Sequence, residues 1–364
     1  MRIKKTVREI DRSQTLDVIG KRPATIGPRS GTSHVVDDVT AWLRRPAAEV
    51  DAHLDGPAGD HLLAGVRALN KGAKAGHPDL FYQQQLLLSR LYGLHTELPG
   101  EHTAEGSVVL HRLTRELEEA TLTAEQNRIE PGALDDLPAD PDEFLSWIKR
   151  TARAHVVFKH PYYQEFIRDR ATAADLRDYV IQESVVDGRF DDLLAMAQVG
   201  TAGPAKMEIA RNFWDEMGNG DPREVHTTLF GRIFEVLDIT DADLRAGLSA
   251  TALLNGNLAV MMSRYRRLYP EAVGFLGMTE WLVPDRFVQV VHAWERLGLP
   301  DVGIIYHRLH ITIDSQHAAG WFHNIVLPAA GNEFMRRGIA RGTLLRLNSS
   351  ARYLDERMPQ TLAA

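Results

Sequence analysis

Residues 306–321 read YHRLHITIDSQHAAGW. Tyr306, His310, Asp314, His317 and Trp321 are spaced by four, four, three and four positions, so a helix here carries all five on one face. Two aromatics on that face flank two imidazoles and a carboxylate. An exposed polar strip, or a buried His–Asp pair used in packing, is the alternative. Three metal-capable groups framed by aromatics favour a ligand cluster. His307 falls beside this face and is not counted in it.

Working outward, the same anomaly recurs. Leu276, Glu280, Val283, Phe287 and Val291 follow helical spacing, with Pro284 expected to break the helix. A carboxylate on that face is buried, so it must be neutralised, paired or bound to a metal. Arg286 is its alternative partner. Glu183 interrupts a third stripe that includes Tyr179, Val180, Phe190 and Leu194, with Gln182 and Asp187 beside it able to solvate that end. Residues 214–226 read WDEMGNGDPREVH. In an unbroken helix Glu216 and His226 stand ~15 Å apart along the axis. Gly and Pro disfavour a helix interior, so the insert can re-aim His226 onto Glu216. The alternative is a plain helix–turn–helix junction capped by Asp221.

Glu216, Glu280 and Asp314 thus supply three carboxylates, and His226, His310 and His317 three imidazoles. Oxygen and imidazole ligands without sulfur suit iron or manganese, and three carboxylates can offset two cations. A dimetal centre in a helical bundle is the natural inference. The chain has no cysteine, which removes thiolate nucleophiles, Cys-type zinc sites, iron–sulfur clusters and disulfide frameworks. There is no P-loop, nucleophile elbow, His-Glu-x-x-His or Glu-x-x-His motif.

The 364 residues are 44% hydrophobic and carry a formal net charge of −7, ordinary values for a soluble globular protein. The acidic balance argues against a nucleic-acid partner. Strand signals are nearly absent, and the expected class is all-α. Residues 1–36 read as a flexible arm and 37–121 as a helical N-terminal unit. Residues 122–141, rich in proline and acids, read as a linker or a loop lying on the core, and 142–358 as the main domain. Its helices are expected over 143–158, 161–169, 173–199, 204–217, 223–236, 241–268, 271–281, 284–297, 300–327 and 331–357. The basic start lacks an apolar run. The apolar stretch 248–263 is short and interrupted by Asn255 and Asn257, so no membrane partner and a cytoplasmic location are expected.

One family unites these elements. The order Asp215-Glu216-Met217-Gly218-Asn219-Gly220, His226-Thr227-Thr228-Leu229-Phe230, Glu280 and His310-x3-Asp314-x2-His317 with Gly320-Trp321 resembles the heme-oxygenase-like diiron oxidases and oxygenases, also described as iron-containing redox enzymes. The resemblance covers about 140–358. It implies a heme-oxygenase-like helical bundle in which Glu216, His226, Glu280, His310, Asp314 and His317 hold two irons. O2 is then the co-substrate and external electrons reset the iron. It also implies an additional carboxylate, for which Glu183 and Asp187 are the candidates. No catalytic side chain beyond the ligands is implied.

Members of that family N-oxygenate amines or guanidines of amino acids, or cleave C–C or C–H bonds of amino or fatty acids. The ten-residue gap from Glu216 to His226 and the N-terminal helical unit are similar to the N-oxygenases typified by that of streptozotocin biosynthesis. N-oxygenation of a small amine or amino-acid-like substrate, an external electron donor and a homodimer are therefore expected. The chain stops at 364, so the cupin domain of that branch is expected to be absent. Tyr306 is a candidate pocket wall. Arg346 and Arg352 are candidates to hold a substrate carboxylate, although a solvated basic face is the preferred reading of both. A heme protein of the same fold is disfavoured by the three acids on apolar stripes. A non-catalytic helical module that binds metal or a partner is the remaining alternative.

Overall fold

The computed structural model describes residues 34–98, 100 and 103–359. Residues 1–33 of the expected arm lie outside these. Every regular element among the described residues is helical. The chain divides into two units, 1–121 and 122–364.

The first unit comprises α1 (Val35–Thr40), α2 (Ala47–Leu54), α3 (Pro57–Lys74), α4 (Pro78–Thr96) and most of α5 (Val108–Gln126). Pro57 and Pro78 open α3 and α4, where a missing N–H costs nothing. The Asp51 carboxylate accepts from the Val108 and Val109 amides at 3.1 and 3.2 Å and so caps α5. Leu62, Val66 and Leu69 of α3 and Leu87, Leu88 and Leu91 of α4 are buried.

The second unit holds α6 (Pro141–Ala154), α7 (Ala173–Glu183), α8 (Phe190–Gln198), α9 (Gly203–Glu216), α10 (His226–Leu237) and α11 (Asp241–Ala246). It continues with α12 (Ala250–Arg264), α13 (Tyr269–Arg296), α14 (Ile305–Trp321), α15 (Leu327–Ala330) and α16 (Glu333–Arg357). Side-chain caps set several starts. Asp140 accepts from Asp142 and Glu143 amides, Thr172–Asp175 and Thr240–Asp243 form capping boxes, and Ser249 and Asn332 cap α12 and α16. The 28-residue α13 packs against both α14 and α16. A Cβ on Gly274 would stand 2.0 Å from the Ile339 carbonyl oxygen, so the α13 and α16 backbones touch there.

Several expected boundaries shift. The stretch 173–199 is two helices separated by the tight turn Asp187–Arg189. The stretch 241–268 divides at Gly247, where Ser249 caps a new helix buried from Thr251 to Ser263. Pro284 does not break α13, because packing against both neighbours outweighs one missing backbone bond. The expected helix 300–327 begins as α14 at Ile305 and passes into a π-helical turn over Phe322–Val326. α5 runs on to Gln126, inside the expected linker. No helix among the described residues is long and apolar enough to cross a membrane.

Candidate metal centre

Helices α9, α10, α13 and α14 bring six side chains into two adjoining groups. Glu216, His226 and His310 form one; Glu280, Asp314 and His317 form the other. Within each group one ligand atom per residue lies within 4.8 Å of the others. All six residues are at most 4% exposed.

Local sequence explains how Glu216 and His226 meet. α9 ends at Glu216, and Gly218, Asn219 and Gly220 all have positive φ (59°, 52° and 92°). A Cβ on Gly218 would stand 2.5 Å from the Glu224 carbonyl carbon, so only glycine permits so tight a reversal. The chain folds back, α10 starts at His226 itself, and His226 Nδ1 comes 2.8 Å from Glu216 Oε2. Asp221 does not cap α10. It accepts from the Arg223 amide at 2.9 Å, and Val225 holds the cap position.

The outer nitrogen or oxygen of several ligands is already committed, which fixes the free atom. His310 Nδ1 donates to the Tyr306 carbonyl at 2.7 Å, leaving the lone pair on Nε2, 3.9 Å from Glu216 Oε1. His317 Nε2 donates to Asp215 Oδ2 at 3.0 Å, so Nδ1 faces Glu280 Oε2 at 3.6 Å and Asp314 Oδ1 at 3.9 Å. Asn212 Nδ2 donates to Glu280 Oε1 at 2.7 Å. Carboxylate and carbonyl partners behind imidazoles orient them for a cation.

The inward atoms lack partners. His226 Nδ1, His317 Nδ1 and Asp314 Oδ1 are buried and make no hydrogen bond. His226 Nδ1 is near Glu216 Oε2 without the alignment of a hydrogen bond. Such orphaned buried atoms are costly unless something converges on them, and a cation does so.

The electrostatics agree with that geometry. Burial alone would raise Glu216, but His226 and His310 hold it at about 2. Burial pushes the Asp314 carboxyl well above the usual carboxylate range, and the charges of Glu280, Glu216 and Asp187 add to it. Burial would lower His317, but Glu280, Asp215 and Glu216 raise it to about 9. Three acids pressed together without a cation are a strained anionic cluster. Divalent cations relieve it.

Tyr306 is buried, with its ring 4.0 Å from that of His310 and 5.0 Å from that of Phe230. Trp321 packs over Gly277 and its Nε1 donates to the Val273 carbonyl at 2.9 Å, a core role. Of the two extra carboxylates, Glu183 is half-buried and accepts from the Tyr353 hydroxyl at 2.7 Å. Asp187 is buried with Oδ2 unpartnered. Burial and the charge of Glu183 raise its carboxyl well above the ordinary range, with Glu216 adding to the effect.

Three expectations need correction. Arg286 does not pair with Glu280; its Nη2 donates to Ser350 Oγ at 3.1 Å, because it projects from α13 toward α16. Arg346 is not on a solvated face. It is 6% exposed and donates to Asn255 Oδ1 at 3.2 Å. Arg352 pairs with the buried Glu125, which commits its guanidinium to structure. His307, set aside from the stripe, is fully buried against Phe287 and Tyr179 with neither ring nitrogen hydrogen-bonded. Burial lowers its pKa to about 3.

Asn212 has no part in the sequence reading, and Asp215 none beyond its place in the family motif, yet both hold candidate ligands from behind. Their signal was present: together with Glu216 they stand at i, i+3 and i+4 on α9, so they share its face.

Among known proteins, no curated sequence matches the chain. Residues 177–351 match the family model described as iron-containing redox enzyme, a heme-oxygenase-like family. All six grouped residues, and Asp187, fall inside that segment. The match supports placing residues 177–351 in the iron-containing redox enzyme family.

Proposed function

We propose that the protein is a non-heme diiron oxygenase that inserts oxygen at an amine or guanidine nitrogen of an amino-acid-derived substrate. The observation that carries the diiron reading is the pair of adjoining triads, Glu216–His226–His310 and Glu280–Asp314–His317, whose unpartnered atoms face inward. The donors, three carboxylate and imidazole atoms per group with no sulfur, suit iron. Asp187, buried with an unpartnered oxygen, is the better placed of the two additional carboxylates.

When bound, the two irons supply O2 activation and electron transfer, as in other metal-assisted oxidations. One oxygen atom goes to the substrate nitrogen and the other leaves as water, with two electrons and two protons from an external donor. The chain's own residues do the rest. Asp215 and the Tyr306 carbonyl hold the His317 and His310 rings in register. Asn212 restrains Glu280. Tyr306, Phe230 and Phe287 wall the His226–His310 side with aromatic surface that excludes water.

The longer gap between Glu216 and His226 favours N-oxygenation. Oxidative C–C or C–H cleavage by the same cluster is the second reading. A homodimer formed through the N-terminal unit and a cytoplasmic location belong to the same proposal.

The test is anaerobic iron loading, then rapid mixing with O2 followed by absorption and Mössbauer spectroscopy. Two coupled irons per chain and a transient absorption band on O2 addition are expected. A single uncoupled iron, or none, removes the diiron reading. Product analysis with amine and amino-acid substrates then separates N-oxygenation from cleavage, and sedimentation tests the dimer.

A further inference from the structure

Two buried arginines stand outside every direct ion pair among the described residues. Arg286 on α13 and Arg346 on α16 are each 6% exposed. Among the described residues no carboxylate oxygen lies within 4.0 Å of either guanidinium, while exposed arginines such as Arg308 pair twice. Each has one neutral anchor: Arg286 Nη2 donates to Ser350 Oγ at 3.1 Å, and Arg346 Nη1 to Asn255 Oδ1 at 3.2 Å. Their Nε groups are buried with no acceptor. Ser350 stands four residues beyond Arg346 on α16, so the anchors put both guanidiniums on one face of that helix. Burial, with the charge of Arg286 adding to it, draws Arg346 down to about 10 against the opposing pull of Glu183 and Asp187.

Such a pair is expensive to bury, since each ion carries a desolvation penalty of several kcal/mol unless an anion repays it. The nearby carboxylates do so only in part. Glu183 and Asp187 both attract Arg346, and Asp187 is also drawn by Arg286, but no carboxylate oxygen among the described residues comes within 4.0 Å of either guanidinium, and Glu183 already accepts from the Tyr353 hydroxyl. The pair is anchored and makes no direct ion pair.

It is also joined to the triads. The Arg286 guanidinium lies over the Tyr163 ring at 5.3 Å. Tyr163 contacts Tyr179, Tyr179 contacts His307, and His307 stacks edge-on to Phe287 with centroids 4.5 Å apart. Phe287 then meets the His310 ring at 6.0 Å. A chain of aromatic contacts thus runs from Arg286 to a candidate ligand, while Arg346 lies over the Phe275 ring at 5.4 Å.

The geometry points to Arg286 and Arg346 as the binding pair for the carboxylate of the substrate, holding its far end while the reacting atom lies at the triads. A planar guanidinium matches a carboxylate by two parallel N–H···O bonds, and two of them select a monoanion over its neutral amide. The assignment rests on the oxygenase reading, and it excludes simple uncharged amines as substrates. It also replaces Arg352, whose guanidinium is held by Glu125.

The experiment uses the full chain loaded anaerobically with Fe(II). Hexanoate and L-lysine are titrated by calorimetry, each against its primary amide. At least one acid is expected to bind ten-fold or more tightly than its amide. Arg286→Gln and Arg346→Gln are each expected to erase that preference, while Arg346→Lys, which keeps the charge but loses the fork, retains part of it. Circular dichroism and iron content of the variants should match the parent. If Arg346→Gln does not fold, Ser350→Ala carries the test, because it loosens Arg286 alone and should reduce the preference.

Acid and amide binding alike, or binding by neither, overturns the assignment. So does a preference that survives both Gln variants. O2 consumption on the same samples reads the oxygenase function separately. Iron uptake and O2 consumption without acid preference sink the arginine pair and keep that function. Acid preference without iron uptake does the reverse.

Discussion

Asp215 and His317 stand 102 positions apart in the chain, and Asp215 Oδ2 accepts from His317 Nε2 at 3.0 Å. The contact fixes which imidazole nitrogen is free. Asp215→Asn keeps the shape of the side chain and removes the charge that orients the ring. Iron affinity at the Glu280–Asp314–His317 group is expected to fall by about 10–100-fold, read by chelator competition. His317→Ala or Glu280→Ala removes a ligand itself and is expected to cost one iron per chain. Retention of two irons in both would remove this ligand set.

Stability should depend on pH differently with and without metal. His317 has its folded pKa raised to about 9 from 6.5, so its contribution in the metal-free chain is fully present below pH 6.5. It is lost as the pH rises to about 9. Asp314, also raised, acts in the same direction. His307, lowered to about 3, is neutral in the folded chain throughout this window and is partly charged in the unfolded chain only at its lower edge, so it adds a small opposite change near pH 6.5. Thermal melts of EDTA-treated protein should therefore fall between pH 6.5 and 9, by an amount equivalent to about 3 kcal/mol. Metal-loaded protein should not show the fall, because the cation takes the place of the His317 proton. A flat metal-free profile would contradict the buried ion pairing of His317.

Gly274→Ala tests the contact that sets α13 against α16. The new Cβ would meet the Ile339 carbonyl oxygen at 2.0 Å and the Thr343 amide nitrogen at 2.8 Å, and neither backbone atom can yield cheaply. A loss of about 2–3 kcal/mol is expected, seen as a drop of several degrees in Tm. Since α13 carries Glu280, any folded variant should also bind iron less tightly.

Gly218→Ala acts on the other group. A side chain at φ 59° that meets the Glu224 carbonyl carbon at 2.5 Å must open the reversal and withdraw His226 from Glu216. Iron bound by Glu280, Asp314 and His317 should remain while the second is lost, read by metal analysis and Mössbauer intensity.

Arg352→Ala separates structure from substrate binding. It leaves the buried Glu125 with the Arg128 contact at 3.4 Å. Stability should fall by about 1–3 kcal/mol, while iron content and kcat/KM stay unchanged. A selective rise in KM would instead return Arg352 to the substrate.

Much of this protein was legible in its order of residues. The spacing of His310, Asp314 and His317 put them on one face, because the helical period is a local property that needs no knowledge of the fold. Glu280 stood out for the same reason, as an acid on an apolar stripe. The Gly218-Asn219-Gly220-Asp221-Pro222 insert signalled a break because Gly and Pro disfavour a helix interior. Pro284 misled, since a local propensity for breaking a helix was overridden by packing on two sides. The contacts of Asn212 and Asp215 are not legible in the sequence, because they exist only across the gap to Glu280 and His317.

The sequence by itself determined the all-helical class and the inventory of six metal-capable side chains, since both follow from periodicity and residue chemistry along single helices. Only the tertiary structure decided which atom of each side chain is free, which arginine is spent on Glu125 and which two lie buried without a direct ion pair. Those outcomes depend on how α9, α13, α14 and α16 pack, and on which polar groups that packing seals away from water.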